Sequence, residues 1–412
     1  MSRGRMNVLF IAHRTPYPPN KGDKLRSLWE LKELSKCSDV DLLAFYDDPG
    51  DGDYVDELKK FCRHVYLEKL PFVRSRVNAL RFLLRGRSVT TGFFYSAQMA
   101  AKVDALLKTG VHDRVVVFSS SMAQYVEKTE IFKVLDLVDV DSDKWQQYAQ
   151  RQSGPSKWLW RREGRLLGEY EARMAKEFSC TLVCTEGEAA LLRSKATEGS
   201  IEVLQNFLDV NRYDPTDVTL PEEVRRWQPY LVFSGSMDYF PNVDAVTYFC
   251  REIFPLIHKQ LPSVRLVIAG RNPIRAVRKL VSSGQVELTG SKPDLRPYLA
   301  GAAAAVVPMR IARGVQNKIL EALATGIPVI STSAAANALP ESLRSLLSVA
   351  DTPDGFSTAV IRSLRDGGPI PPVCLRSTLK DYMERLDLPR QLEMLVRGQG
   401  VANCSEEHLA VG

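Results

Sequence analysis

The chain of 412 residues has little of what metal sites and disulfide frameworks need. It contains five histidines and seven cysteines, without a Cys-x-x-C pair. The histidines are spread out and never at metal-ligand spacing, so we expect no metal site and reduced cysteines, as in a cytoplasmic protein. No apolar run approaches the roughly 18–20 residues that a membrane span needs. The apolar stretch before His13 is short, which predicts a first β-strand rather than a signal peptide.

A large excess of one charge is also missing. The net charge is +6 and the isoelectric point is about 8.8. This mildly basic balance suits anionic small molecules or an anionic membrane surface. Helix-turn-helix, zinc-finger and RNP-type patterns do not occur, so we expect no nucleic-acid partner. The length and a hydrophobic content of 45% predict two globular domains, each with its own core.

Short apolar runs alternate with helical patterns along most of the chain, which predicts doubly wound parallel sheets. In the first half the expected strands are 8–12, 39–46, 64–67, 114–119, 133–138, 180–185 and 200–204. After a polar, proline-containing stretch, the second half repeats the alternation, with strands at 230–234, 264–269, 286–289, 303–307 and 327–331. We therefore predict domains at 1–208 and 209–372, followed by a helical tail at 373–412.

The segment 310–332 carries the clearest chemical signal. It follows an apolar run and reads as loop, helix and strand, so the loop should lie at the carboxyl end of a parallel strand, where such sheets bind ligands. Arg310, Arg313 and Lys318 bring positive charge to a helix N-terminus, Gly314 allows close backbone approach, and Glu321 lies one turn along the helix. Cations for a diphosphate and a carboxylate for sugar hydroxyls suit a nucleotide sugar. The alternative is an ordinary loop with solvated cations and an ion-paired Glu321.

Several motifs together resemble the GT-B glycosyltransferases, and within them glycosyltransferase family 4 (group 1). The chain is most similar to the sugar transferases associated with exosortase (PEP-CTERM) exopolysaccharide clusters. Four stretches carry the resemblance: PYPPNKGDKLRS (16–27), DLVDVDSDKW (136–145), FSGSMDYFPNVDAV (233–246) and ARGVQNKILEA (312–322).

The resemblance implies two Rossmann-like domains facing a cleft, with the acceptor bound by the N-terminal domain and the donor by the C-terminal domain. It further implies a hexosyltransferase that retains anomeric configuration, uses no cofactor or bound metal, and sends its last helix back to the N-terminal domain. The expected partners are a nucleotide-sugar donor and a glycan or polyprenyl-linked acceptor. The expected place is the cytoplasm, including the inner face of the plasma membrane.

The resemblance also assigns site residues. Glu321 matches the second glutamate of the E-x7-E motif, which binds the ribose, whereas Arg313 stands where the first glutamate contacts the donor sugar. The donor-side residues are Gly22, Gly235, Ser236, Asn242, Arg310, Gly314, Gln316, Asn317 and Glu321. Lys21 and Asp139 are placed on the acceptor side, and Asp141, Arg313 and Lys318 are the catalytic candidates. Asp23 replaces the second glycine of the first loop and is expected to cap the following helix.

Two features have competing interpretations. Asp139 and Asp141 have Asp-x-Asp spacing, which we interpret as acceptor contacts or helix capping rather than a metal site. Arg74, Arg81 and Arg85 flank apolar residues at helical spacing from Val73 to Leu84. Such a helix either docks on anionic lipid or packs on the sheet as an ordinary surface helix.

The leading function is therefore sugar transfer from a nucleotide donor in exopolysaccharide synthesis. A nucleotide-sugar epimerase of GT-B fold is the alternative among enzymes. A glycan-binding or scaffold protein without catalysis is the alternative that the Arg313 substitution supports.

Overall fold

The computed structural model describes residues 5–19, 21–46, 49–150, 153–312 and 314–399. These residues divide into two compact units. The first comprises 1–205 together with 387–412, and the second comprises 206–386. No helix of the described residues is long and apolar enough to cross a membrane.

The first unit contains a sheet of seven parallel strands in the order β3-β2-β1-β4-β5-β6-β7. The strands are β1 (Met6–Ala12), β2 (Ser38–Tyr46), β3 (His64–Lys69), β4 (Arg114–Phe118), β5 (Phe132–Val138), β6 (Cys180–Val183) and β7 (Ile201–Val203). The helices are α1 (Gly22–Cys37), α2 (Val55–Leu58), α3 (Phe72–Leu84), α4 (Val89–Phe93), α5 (Ala97–Lys108), α6 (Asp141–Gln150), α7 (Gly154–Glu177) and α8 (Glu186–Lys195). Short 3-10 turns cover Pro49–Tyr54 and Ser120–Tyr125.

The second unit contains a sheet of six parallel strands in the order β10-β9-β8-β11-β12-β13. The strands are β8 (Tyr230–Ser234), β9 (Arg265–Ala269), β10 (Val286–Leu288), β11 (Ala304–Val307), β12 (Val329–Ser331) and β13 (Ser348–Val349). The helices are α9 (Glu222–Trp227), α10 (Phe240–Tyr248), α11 (Phe254–Gln260), α12 (Arg275–Arg278), α13 (Arg296–Ala300), α14 (Asn317–Thr325), α15 (Ser333–Ala336), α16 (Glu341–Arg344), α17 (Pro353–Asp366) and α18 (Pro372–Leu386). A π turn, Phe249–Ile253, joins α10 to α11, and 3-10 turns cover Asn211–Tyr213, Pro215–Asp217 and Lys279–Ser283.

The central strands of both sheets are apolar on both faces because helices cover each side. In the first unit β1 and β4 are almost wholly buried, and in the second unit β8 and β11 are. Sequence patterns located these strands well, since continuous Val, Leu, Ile and Phe runs are typical of buried parallel strands. The fold prediction of two doubly wound α/β units is confirmed.

The two helices at the end of the described chain belong to different units, whereas the prediction grouped residues 373–412 as one tail. Helix α19 (Leu388–Val396) packs in the first unit, where Leu388, Leu392, Leu395 and Val396 are buried. Helix α18, which the sequence analysis grouped with that tail, belongs to the second unit, where its Leu375 and Leu379 join the core. The two helices thus bury their apolar residues in different units. Asp387, which lies between them, adopts a left-handed conformation with φ 43°.

Candidate functional site

The second unit has its topological switch point between β8 and β11, the adjacent strands from which the chain runs in opposite directions along the sheet. Open parallel sheets bind ligands in the crevice at this point, outside the carboxyl ends of the strands. Two loops lie there, one running from β8 to α10 and the other from β11 to α14. They contain most of the donor-side residues expected from sequence.

Gly235 in the loop after β8 is in close contact with Asn242 in the first turn of α10. Gly235 has φ 151°, and a Cβ atom on it would lie 2.6 Å from the Asn242 Nδ2 atom. The Asn242 amide donates a 3.0 Å hydrogen bond to the Ser236 carbonyl, while the Ser236 hydroxyl donates to Asp238 at 2.6 Å. Glycine is therefore needed at position 235 because a side chain would displace the amide of Asn242.

The loop after β11 ends at α14, which positions Lys318 in its first turn. The Lys318 ammonium donates a hydrogen bond of 2.6 Å to Asn242 Oδ1, contacts the Met309 sulfur and lies 4.4 Å from the centroid of the Phe233 ring. Among the described residues no carboxylate is within ion-pair distance of this ammonium. An ammonium in part-buried surroundings without a counter-ion favours an anionic ligand.

Burial also shifts the pKa values of two side chains on α14, Lys318 and Glu321. Burial lowers the pKa of Lys318 to about 7, although the Glu321 carboxylate acts in the opposite direction. Burial raises the pKa of Glu321 to about 7, against a hydrogen bond from Tyr213 and the charges of Lys318 and Arg212. A diphosphate beside Lys318 would favour its charged form, because an anion at short range stabilises an ammonium.

The other predicted residues of this loop lie at or near the start of α14. Gln316 precedes its first residue, Asn317, whose Oδ1 accepts a 3.2 Å hydrogen bond from Asn206. Gly314 has φ 58°, a conformation that favours glycine. Arg310 forms a two-point ion pair with Asp244 on α10, which satisfies part of its charge. Arg313 lies outside the described residues.

In the first unit the junction after β5 is strained. Val138 has φ 66°, and the Asp139 N–H donates to the Leu137 carbonyl at 2.8 Å, which makes a γ-turn of the rare positive-φ kind. A β-branched residue in this conformation is a true outlier, and such outliers concentrate at functional sites. The turn brings Asp139 to the carboxyl edge of the sheet.

Asp139 and Asp141 share one cation. The Lys144 ammonium lies 3.1 Å from Asp139 and 2.8 Å from Asp141, and the Cys184 thiol donates to Asp139 at 3.0 Å. Burial acts to raise the pKa of Asp139, but Lys144 and Cys184 outweigh it, so the pKa is lowered and Asp139 remains ionised. Asp141 begins α6. The described residues contain no group of three His, Cys, Asp or Glu side chains that could hold a metal.

The loop after β1 corrects one expectation. Lys21 is the N-cap of α1 and Gly22 its first residue, so Asp23 lies in the first turn and not at the predicted capping position. Its Oδ1 accepts from the Lys24 N–H at 3.0 Å, and its Oδ2 pairs with His13 at 3.2 Å and Arg14 at 2.8 Å. Burial acts to raise the pKa of Asp23, but these two partners lower it well below its ordinary value. The side chain therefore fastens α1 to the end of β1.

Sequence reasoning missed one site residue, Tyr213. Its hydroxyl donates a 3.3 Å hydrogen bond to Glu321 Oε1. Tyr213 precedes Glu321 by 108 residues and lies in a polar stretch without periodicity, so no local signal could have indicated the contact.

Comparison with known families now adds to this geometry. Residues 228–366 match the family described as Glycosyl transferases group 1. This segment contains β8 and the loop to α10, β11 and the loop to α14, and all of α14. The switch-point site of the second unit therefore lies within the part of the chain that is similar to group 1 glycosyltransferases.

Relatives and solved structures extend the likeness along the chain. A 44.6 kDa protein in the cps region of Klebsiella pneumoniae is 22% identical, covering 79% of this chain and 82% of that protein. Sucrose-phosphate synthase from Thermosynechococcus elongatus has a TM-score of 0.68 at 15% identity, covering 95% of this chain and 98% of its own. Anabaena HepE, solved with UDP and glucose, has a TM-score of 0.62 at 13% identity, covering 95% and 99%. The chain thus has the GT-B glycosyltransferase fold.

Helix α3 of this GT-B protein exposes most of its large apolar residues, while Phe82 and Leu83 are half-buried. Val73 is 76% exposed and Leu84 79% exposed, and Phe72, Val77 and Leu80 are also exposed. The buried residues of the helix are instead Ser75, Asn78 and Ala79. Arg74, Arg81 and Arg85 lie on the exposed surface too. An ordinary surface helix buries its large apolar residues, whereas five of those on α3 are exposed.

Proposed function

We propose that this protein is a glycosyltransferase that binds a nucleoside diphosphate sugar at the switch point of its second unit. It transfers the sugar, a hexosyl group, to a glycan acceptor in exopolysaccharide synthesis. The match of residues 228–366 to group 1 glycosyltransferases supports the reaction class. The UDP-bound HepE structure supports a nucleotide-sugar donor, and the relative from a cps region supports the role in exopolysaccharide synthesis.

The observation that carries the proposal is the environment of Lys318. Among the described residues its ammonium contacts the neutral Asn242 oxygen, the Met309 sulfur and the Phe233 ring, and none of these partners is charged. A diphosphate supplies the missing negative charge. Glu321, one turn further along α14, accepts the ribose hydroxyls, since an ionised carboxylate offers four lone-pair sites.

The chemical step requires stabilisation of the nucleoside diphosphate as it leaves. Lys318, Arg310 and the free N–H groups at the start of α14 supply positive charge or donors for it. We therefore propose transfer without a metal and, as the family resemblance implies, with retention of anomeric configuration. Lys144 already forms ion pairs with both Asp139 and Asp141, which supports an acceptor-side role for this pair.

The acceptor is a lipid-linked glycan at the inner face of the plasma membrane, where α3 docks. Exposed large apolar side chains interleaved with arginines match an interfacial helix on anionic lipid. Trp158, 64% exposed on α7, adds a residue of the type found at lipid interfaces. Docking would keep the protein where polyprenyl-linked acceptors are held.

Two measurements test the proposal. Thermal unfolding should shift upward with one nucleoside diphosphate among UDP, GDP, ADP and TDP, because ligands that bind the folded state stabilise it. The corresponding nucleotide sugars, incubated with a lipid extract from the source organism, should then release that nucleoside diphosphate and give a glycosylated lipid. Binding of a lipid-linked glycan without turnover of any nucleotide sugar would contradict an enzymatic role.

A further inference from the structure

Glu321 has one hydrogen-bond donor at its carboxylate among the described residues, the Tyr213 hydroxyl at 3.3 Å from Oε1. The other oxygen, Oε2, has no protein donor among the same residues. A carboxylate with one fixed oxygen has a defined plane and presents the second oxygen in a defined direction. The ring of Tyr213 is itself part-buried against the core of the second unit.

The backbone that carries Tyr213 is anchored from two sides. Arg376 of α18 donates to the Tyr213 carbonyl at 3.0 Å and to the Asp214 carboxylate at 2.8 Å. The same guanidinium donates to the Ala324 carbonyl, on the helix that carries Glu321. Arg296 donates to the Arg212 carbonyl at 2.9 Å. Tyr213 and Glu321 are therefore held by one set of contacts, so their distance is constrained independently of their own hydrogen bond.

We propose that Tyr213 is a positioning residue for the donor, which holds the Glu321 carboxylate in the orientation that the ribose hydroxyls require. This inference rests on the proposed function. Tyr213 acts through Glu321 and is not assigned a contact with the donor. Its hydroxyl also favours the ionised carboxylate, because a hydrogen bond donated to a charged form stabilises that form.

The charged and hydrogen-bonding groups that act on the Glu321 carboxylate come from two parts of the chain. Lys318 lies one turn before it on α14, and Arg212 and Tyr213 approach from the segment before α9. All three favour the ionised form, whereas burial opposes it and raises the pKa to about 7. Removal of the Tyr213 hydroxyl should raise this pKa further. The protonated form, in which one oxygen carries a hydrogen and acts as a donor, would then persist to higher pH.

The test is a double-mutant cycle with UDP and GDP as probes, measured by calorimetry on the full-length protein. For the nucleotide that binds, Tyr213→Phe should weaken affinity roughly tenfold, the effect typical of a hydrogen bond to a charged group. In a Glu321→Gln background the same substitution should change affinity less than about twofold, because the group through which it acts is already altered. Equal losses in both backgrounds would show a general structural role and overturn the proposal.

A pH series supplies a second readout. The Tyr213→Phe protein should lose affinity relative to wild type most strongly near and below pH 7, and Glu321→Gln should remove this pH-dependent difference. Tyr298→Phe is the matched control, since the Tyr298 hydroxyl also donates to a carboxylate, that of Glu223, in the same unit. If wild type binds neither UDP nor GDP, nor any other nucleoside diphosphate, the proposed function fails. If wild type binds a nucleoside diphosphate but Tyr213→Phe leaves its affinity unchanged, only this inference fails and the proposed function stands.

Discussion

The Asn242 amide joins Lys318 to the loop after β8. Its Oδ1 accepts from the Lys318 ammonium at 2.6 Å, and its Nδ2 donates to the Ser236 carbonyl at 3.0 Å. One neutral side chain on α10 thus links the loop after β8 to the first turn of α14. Because the amide holds the ammonium without neutralising it, the positive charge remains available to a ligand.

Pyrophosphate affinity should depend on the protonation of Lys318. Its pKa is lowered to about 7, so the ligand-free side chain is mostly charged at pH 6 and mostly neutral at pH 8. Anion binding favours the charged form, so the affinity of wild type relative to Lys318→Met should fall as pH rises above 7, by up to about tenfold per unit. Calorimetry from pH 6 to 9 measures this ratio, and the variant controls for titration of the pyrophosphate. A constant ratio would exclude Lys318 as the titrating group.

A single methyl group at Gly235 should disturb the same site. In Gly235→Ala the Cβ atom would lie 2.6 Å from Asn242 Nδ2, which would move the amide away from Lys318. We expect nucleotide binding to weaken more than tenfold. Gly284→Ala is the matched control, because Gly284 also has positive φ, at 69°, but a Cβ there meets nothing within 4 Å. The control should lose stability through backbone strain and keep its affinity; equal affinity losses in both variants would contradict the steric argument.

Sugar transfer should persist in the presence of a chelator. Lys144 already pairs with both Asp139 and Asp141, and in the proposed site Lys318 and the start of α14 stabilise the diphosphate. Turnover with EDTA should therefore equal turnover with added Mg²⁺ or Mn²⁺, whereas Lys318→Ala and Arg310→Ala should reduce it. Loss of activity with EDTA and its return with Mn²⁺ would contradict metal-independent transfer and make Asp139 and Asp141 candidate metal ligands again.

The surface of α3 should bind anionic vesicles. Each arginine near such a surface contributes about 1 kcal/mol, so replacement of Arg74, Arg81 and Arg85 with Glu should abolish co-sedimentation with phosphatidylglycerol vesicles. High salt should weaken the wild-type interaction by screening. The matched control replaces three exposed arginines of the second unit, Arg225, Arg226 and Arg362, with Glu. If the control variant loses vesicle binding to the same extent, the interaction depends on net charge and not on α3. If wild type does not bind the vesicles at low salt, the membrane proposal is wrong.

Asp41 should contribute to stability at neutral pH. Although burial acts to raise its pKa, hydrogen bonds from Arg63, His112 and His64 lower it from 3.8 to about 2. The stabilisation, on the order of 2 kcal/mol, is present above pH 3.8 and is lost as pH falls through 2. Urea unfolding at pH 7 should show this loss in Asp41→Asn. The control Asp39→Asn removes an exposed ion pair with Arg5 and should lower the free energy of unfolding by less than about 1 kcal/mol. Equal losses in the two variants would contradict a larger contribution from the buried Asp41.

Sequence patterns were sufficient for the parts of the fold that depend on local apolar runs. They located twelve of the thirteen strands that the structure describes and placed Lys318 near the start of the helix that follows β11. They missed β13, because a strand of two residues, Ser348 and Val349, is too short to show an apolar pattern. They also assigned a capping role to Asp23, since local propensity could not reveal that His13 and Arg14 would bind its carboxylate.

Contacts that depend on tertiary structure could not be predicted. The pairing of Tyr213 with Glu321 and of Arg310 with Asp244 joins residues far apart in the chain. Valine disfavours a positive φ, so that of Val138 could not be predicted from the residue type; it occurs at the end of β5, where the chain turns toward α6.

The placement of α19 sets an order for biosynthesis. The second unit is one continuous stretch and can form its core once residue 386 has left the ribosome. The first unit, although translated first, receives the helix that covers α1 and β5 only when Leu388–Val396 has been made. Until then its apolar surface beneath α19 is open to solvent and to chaperones. The half of the protein that is synthesised first is therefore the half that is completed last.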